Sequence, residues 1–164
     1  MGKNIRFPHL LFFILIVFSI SGPAFSESQY RPIITTNLAK DGETSTHTKR
    51  PILLLISRKG CPYCILIKRE ILKPMLISGD YTDKIIIREI ILDPTVTLQN
   101  FNGSVITSSE LANRYSIEMT PTLLFLGPDG KELAERIVGI NTIELFSYYV
   151  DQAIDKAILN FQSR

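Results

Sequence analysis

The sequence of 164 residues contains two cysteines, Cys61 and Cys64, which are separated only by Pro62 and Tyr63. Thiol–disulfide exchange needs one thiolate that attacks a disulfide and a second thiol close enough to release the resulting mixed disulfide. A Cys-x-x-Cys pair supplies both groups. A crosslink between such near neighbours constrains the unfolded chain very little, because the stabilisation grows with the length of the closed loop. The spacing therefore indicates redox chemistry rather than a structural disulfide.

Two other uses of a cysteine pair lack the further ligands that they require. A structural zinc site takes four Cys or His ligands, and the only histidines are His9 and His47, with no second cysteine pair. Covalent haem attachment needs a histidine directly after the motif, where this chain has Ile65. We therefore expect a redox centre that works without a metal or cofactor.

The first 26 residues have the pattern of a secretory signal peptide. Lys3 and Arg6 precede an almost wholly apolar run over residues 10–20, and a small-x-small cleavage site ends at Ser26. We expect cleavage near Ser26 and export, with an uncleaved membrane anchor as the alternative. The short signal and the lack of a Lys-Asp-Glu-Leu-type terminus favour a bacterial periplasm.

Removal of residues 1–26 leaves 138 residues with a formal net charge of zero. This length is enough for one domain with its own hydrophobic core. A neutral surface offers no electrostatic basis for binding nucleic acid. We expect a monomer that acts on thiols or disulfides and binds no nucleic acid.

The cysteine pair lies between a predicted strand and a predicted helix. Pro51 begins a continuous apolar run through Ser57, which is typical of a buried parallel strand. Cys61 then stands where a helix begins, and we expect that helix to end near Lys73, because Pro74 disfavours continuation. The unpaired backbone N–H groups at a helix start favour the Cys61 thiolate.

The remaining elements complete an alternating pattern. We predict a polar lead-in over 27–50 that is extended or partly disordered and could include one short helix or strand. After the strand 51–57 and its helix, we predict a strand over 85–92, a loop of about a dozen residues, and a helix from the capping box Thr107–Glu110 through Tyr115. A strand over 122–126, a return strand over 132–138 and a last helix capped by Asn141 complete the domain. The order β-α-β-α-β-β-α predicts an α/β fold with one central mixed sheet and helices on both faces. The chain would thus divide into a signal peptide (1–26), a lead-in (27–50) and one domain (51–164).

Several short motifs along this domain resemble one known family. They are Gly60 to Cys64, the Tyr115-Ser116-Ile117 segment, Thr120-Pro121-Thr122, and the turn Gly127 to Lys131. Over about residues 51–157 the chain resembles the thioredoxin superfamily, and it is most similar to the exported, SoxW-like thioredoxins. The resemblance implies a thioredoxin-like fold.

The resemblance also implies roles for single residues. Cys61 would be the nucleophile and Cys64 the resolving thiol, with Pro62 and Tyr63 supporting the redox site. Pro121 would be a cis-proline that faces this site. Thr120 would then present its backbone to a substrate segment.

Two positions depart from the pattern of the family. Thioredoxins usually carry a buried Asp six residues before the first cysteine, where this chain has Leu55. A Lys that commonly accompanies that Asp is matched by Glu89. We interpret Glu89 as a surface-facing strand residue, with a relocated proton relay as the alternative.

These observations favour an exported thiol–disulfide oxidoreductase. Its expected activity is the reduction of disulfides in envelope proteins or small thiols, with electrons supplied by a membrane partner. An oxidase or isomerase of the same superfamily is the first alternative. A thioredoxin-fold binding or chaperone module is the second.

Overall fold

The computed structural model describes residues 1–2 and 30–164. Almost all of the predicted signal peptide, and the first three residues of the lead-in, therefore lie outside the described residues. Within the described part of the chain, no helix is both long enough and apolar enough to cross a membrane.

A five-stranded sheet in the order β1-β3-β2-β6-β7 forms the centre of the molecule. Its strands are β1 (Ile33–Ile34), β2 (Ile52–Arg58), β3 (Ile86–Leu92), β6 (Thr122–Leu126) and β7 (Ile137–Val138), and a separate hairpin consists of β4 (Thr97–Gln99) and β5 (Val105–Thr107). The helices are α1 (Leu38–Thr48), α2 (Pro62–Ile67), α3 (Lys73–Ser78), α4 (Ser108–Arg114) and α5 (Ile143–Gln162). Strands β1 and β2 run parallel to β3, whereas β6 runs antiparallel to both β2 and β7.

Helices cover both faces of this sheet, and each face has its own apolar core. Alternate residues of β2 point to opposite sides, so Leu53 and Leu55 belong to the core under α2, α3 and α5. Leu54 and Ile56 belong to the core under α1 and α4. The predicted α/β fold with a mixed sheet and two helical layers is confirmed.

The helix that follows the cysteine pair does not end at Lys73, so that prediction is wrong. A π-helical segment over Lys68–Leu72 joins α2 to α3, and the chain stays helical through Pro74 to Ser78. The Lys73 N–H bonds the Lys68 carbonyl, five residues back. The π turn resets the hydrogen-bond register, so Pro74 falls in the first turn of α3, where a missing N–H is tolerated.

The lead-in is more ordered than the sequence suggested. Its described part contains both β1 and the 11-residue helix α1, whose N-cap Asn37 accepts a hydrogen bond from the Lys40 N–H. The Arg88 Nε of β3 lies 2.6 Å from Asp41 Oδ1 in α1. This largely buried ion pair holds α1 against the sheet.

Three further predictions need correction. The predicted loop after β3 contains the β4–β5 hairpin, which turns at Asn102-Gly103. The return strand is shorter than predicted, because Glu132 forms only an isolated bridge with Leu126 and regular pairing resumes at β7. The N-cap of α5 is Thr142 rather than Asn141, and no side chain caps that helix.

Candidate redox site

The two cysteines lie at the start of α2, directly after the carboxyl end of β2. Cys61 is the N-cap of the helix, and Pro62 occupies its first turn. A disulfide joins Cys61 to Cys64, with their Cα atoms 5.3 Å apart. The Cys64 N–H points at Cys61 Sγ over 3.2 Å. Since a helix start directs unpaired N–H groups and a positive partial charge outward, this position stabilises a thiolate on Cys61.

The two cysteine sulfurs differ in solvent exposure, and this difference assigns them different roles. Cys61 is half-buried, whereas Cys64 is 1% exposed. Only Cys61 is open to an incoming disulfide. Cys64 can therefore act only from within the protein, on a bond that Cys61 has already formed.

The loop before β6 forms the opposite wall of the site. The Thr120–Pro121 peptide bond is cis. Cys61 Sγ lies 3.8 Å from both the carbonyl oxygen and the Oγ1 of Thr120. The structure thus brings together the two motifs that the sequence analysis singled out, which are 59 residues apart.

Exposed apolar side chains occur on the elements around Cys61. Tyr63 is 61% exposed, Met119 is 57% exposed and Val138 is 46% exposed. Met119 directly precedes Thr120, and Val138 pairs with Thr122, the residue after Pro121. Such a surface suits contact with the apolar parts of another molecule.

Glu89 is buried, so its interpretation as a surface-facing residue is wrong. It is 2% exposed and lies directly beside Leu55 in the parallel register of β2 and β3. Both faces of β3 are covered by helices, so residues on either face, such as Glu89 and Ile90, are buried. Glu89 shares the face of Leu55, which is also the face that carries α2.

Two further residues, which the sequence analysis missed, hold the Glu89 carboxylate. Ser57 Oγ donates to its Oε1 over 2.5 Å, and Lys68 Nζ lies 2.9 Å from the same oxygen. Lys68 follows Cys64 by four residues, and side chains at that spacing are neighbours on a helix. The ion pair with Lys68 therefore holds the carboxylate against the redox helix, on the side of the sheet that this helix covers. In the sequence, the four-residue spacing of Cys64 and Lys68 could have indicated that Lys68 lies near the redox site. It could not indicate that Glu89 lies beneath the helix.

Of the two positively charged residues just before Cys61, Lys59 has an ion-pair partner within the described part of the chain and Arg58 does not. Lys59 Nζ lies 3.1 Å from Asp93 Oδ2, at the end of β3. Hydrogen bonds from the Thr95 side chain and backbone, and then from Lys59, lower the pKa of Asp93 to about 2. Asp93 is thus negatively charged throughout the neutral range and offsets Lys59. Arg58 is exposed and has no such ion-pair partner among the described residues.

Comparison with known proteins agrees with this geometry. The family model of the thioredoxin-like domain matches residues 38–154, and the chain belongs to that family. No curated protein matches the chain in sequence.

Solved structures that resemble the fold include a DsbH oxidoreductase, at 16% identity and a TM-score of 0.52, with 94% of this chain and 95% of that chain covered. Mitochondrial thioredoxin 3 from Saccharomyces cerevisiae, in its oxidised form, is 17% identical with a TM-score of 0.51, over 76% of this chain and 93% of the other. A thioredoxin from Malassezia sympodialis is 15% identical with a TM-score of 0.52, over 77% and 90%.

Family membership and the Cys61–Cys64 disulfide together define the class of protein. The chain is a thiol–disulfide oxidoreductase of the thioredoxin-like family. Its particular features are the absence of an acid at position 55 and the presence of a buried acid at position 89.

Proposed function

We propose that this protein is exported to the periplasm, where it reduces disulfides of envelope proteins or small molecules through a Cys61–Cys64 dithiol/disulfide cycle. The export part of the proposal rests on the signal-peptide pattern of residues 1–26. The observation that carries the reductase part is the buried Glu89 carboxylate, held by Ser57 and Lys68 beneath the redox helix. A reductase must deprotonate its inner thiol during each turnover, and we assign Glu89 as the acceptor of that proton.

The cycle begins with the dithiol form. The Cys61 thiolate attacks one sulfur of the substrate disulfide, and the first substrate thiolate leaves and takes a proton from water. The Cys64 thiol then transfers its proton to Glu89 and attacks Cys61 Sγ. The second substrate thiolate leaves, and Glu89 returns its proton to solvent. The substrate gains two electrons and the protein disulfide forms, which a membrane partner then reduces.

The reducing direction rests on the resemblance to exported thioredoxins and on this route for the proton of the inner thiol. Lys68 Nζ pairs with the Glu89 carboxylate over 2.9 Å, so the ion pair as a whole adds no net charge near Cys64.

Single-cysteine variants test the roles of the two sulfurs. With insulin as the disulfide substrate, Cys64→Ser is expected to form a mixed disulfide that persists, because the resolving thiol is gone. Cys61→Ser is expected to form none, because Cys64 is buried. Non-reducing electrophoresis followed by mass spectrometry identifies the bonded cysteine. A stable adduct on Cys64 instead would overturn the assignment.

Export is tested separately with the full-length chain in a Gram-negative host. We expect the protein in the periplasmic fraction, and mass spectrometry should show an N-terminus near Glu27. Full-length protein in the membrane fraction would support an uncleaved anchor. Full-length protein in the cytoplasm would contradict export.

A further inference from the structure

We propose that a groove between β7 and α5 binds an extended segment of a polypeptide substrate while its disulfide is engaged at Cys61. This inference rests on the proposed reductase function and names its substrate class. The groove has a volume of about 520 Å³, within the range of about 300–1,000 Å³ that is common for ligand sites. Only a substrate much longer than a small thiol can occupy this groove and reach Cys61 at the same time.

Two segments of the chain line the groove. One wall is the chain over residues 134–139, which includes β7 and would span at most about 17 Å between its end Cα atoms if fully extended. The other is a stripe on α5, and its ends, Thr142 and Lys156, lie about 21 Å apart at the helical rise. This stripe repeats every three or four residues and consists of Thr142, Phe146, Tyr149, Ala153 and Lys156. An extended segment of about six residues fits this length.

The sheet edge beside the groove has backbone groups available for pairing. Strand β7 is the last strand of the sheet, and Gly139 donates to the Pro121 carbonyl over 2.8 Å. Since alternate residues of an antiparallel ladder bond inward, the N–H and C=O of Val138 point away from β6. An added strand can bond to such an edge. The half-exposed ring of Tyr149 then offers an apolar contact to its side chains, whereas Phe146, which also lines the groove, is almost fully buried in the core.

The groove is continuous with the redox site, which argues for one occupant of both. Thr120 contacts Cys61 Sγ, Pro121 follows it, and Gly139 bonds Pro121. Val138, next to Gly139, already lines the groove. A polypeptide whose cysteine is bonded to Cys61 thus has a direct path into the groove along the strand edge.

The test uses the pre-reduced dithiol protein and synthetic peptides in which one cysteine forms a disulfide with a chromogenic aromatic thiol. The second-order rate constant of this single turnover is taken as kcat/KM. The peptides carry no tail, or an alternating apolar–polar tail of about three or about six residues on either side of the cysteine. We expect kcat/KM of the wild-type protein to rise about tenfold from the untailed to the longest-tailed peptide, since one well-placed side chain contributes this much.

Two variants remove different parts of the groove. Val138→Pro removes the outward N–H without removing a ladder bond, and Tyr149→Ala removes an exposed ring. Each should abolish most of the gain from the longer tail, measured as the ratio of kcat/KM for tailed over untailed peptide. Tyr148→Ala is the matched control, because it lies outside the groove and deletes the same contact between the two rings, 5.7 Å apart. It should keep the full ratio.

Equal kcat/KM for all tail lengths in the wild-type protein would overturn the groove proposal and leave the reductase function standing. The same conclusion follows if Tyr148→Ala and Tyr149→Ala lower the ratio equally. No reduction of the untailed disulfide by the wild-type protein would contradict the proposed function, and the groove proposal with it.

Discussion

The role of some single residues can be predicted from the residues next to them in the sequence, whereas the role of others cannot. Cys61 and Cys64 form one short motif and Thr120-Pro121 forms another, and each motif is contiguous in the chain, so sequence alone could locate both. The burial of Glu89 could not be located in this way, because it depends on which helix covers that face of β3. Its partners Ser57 and Lys68 come from two other segments and meet it only in the folded chain.

The proposed proton transfer leads to a prediction for Glu89→Gln. Glutamine keeps a carbonyl acceptor for Ser57 and Lys68 but takes no proton, so resolution by Cys64 should slow about 100-fold. Stopped-flow measurement of thiol release from a Cys61 mixed disulfide gives this rate.

Glu70→Gln is the control for this experiment. Glu70 is an exposed acid in the same π-helical segment, and the Glu70→Gln variant should resolve the mixed disulfide at the wild-type rate. A Glu89→Gln variant that resolves the mixed disulfide at the wild-type rate would refute the relay.

Among the secondary-structure elements, those with strong local signals could be predicted and those set by tertiary contacts could not. The capping box places the start of α4 correctly, because Thr107 and Glu110 bond each other's backbone N–H groups. Strands β4 and β5 have only three residues each, too few to show an alternating pattern. The π turn before Pro74 likewise has no local signature.

The capping box should contribute measurably to stability. Thr107→Ala removes the hydroxyl that accepts from the Glu110 N–H over 3.1 Å, and we expect the free energy of unfolding to fall by about 1 kcal/mol. Urea denaturation followed by circular dichroism measures this change. Ser109→Ala, at an exposed position in the same turn, should change it by less than about 0.5 kcal/mol. Equal losses for both variants would show that the cap contributes nothing.

A second stability prediction concerns the turn between β6 and β7. Gly130 has φ +79°, and a Cβ there would lie 2.5 Å from the ring of Phe101. Gly130→Ala is therefore expected to lower the free energy of unfolding by about 3 kcal/mol, through both backbone strain and overpacking. Gly79→Ala is the matched control, since Gly79 has φ +76° but open space around it, and it should cost about 1 kcal/mol. Urea midpoints that fall equally would exclude the steric contribution.

Across the whole molecule, the order of the elements and the carboxyl end of β2 determine where the site lies. The alternation of strands and helices was enough to predict the mixed sheet and the position of Cys61. The participation of the lead-in was not predicted, because its helix is polar outside and depends on the Asp41–Arg88 ion pair with β3.

Two long-range tyrosine hydrogen bonds predict how stability changes at high pH. Tyr81 donates to Asp151 and Tyr115 donates to the Gly130 carbonyl. Burial is the main cause that raises the pKa of each to about 12, from an ordinary 10.0. Between these values the unfolded chain loses tyrosine protons that the folded chain keeps, so stability falls as the pH rises from 10 to 12.

Urea titrations at a series of alkaline pH values measure this loss. The double variant Tyr81→Phe/Tyr115→Phe should be less stable at neutral pH, because it lacks two hydrogen bonds. Its stability should also decline less steeply above pH 10. A decline as steep as that of the wild-type protein would assign the effect to other groups.

The reduction potential of the Cys61–Cys64 pair tests the central claim most directly. The mature wild-type protein is equilibrated in glutathione buffers of graded ratio, and the fraction of disulfide is measured by alkylation and mass spectrometry. We predict one reversible two-electron couple with a reducing potential, close to the value of about −270 mV for thioredoxin. A potential near about −120 mV, as in a dedicated oxidase, or no reversible couple at all, would contradict the account.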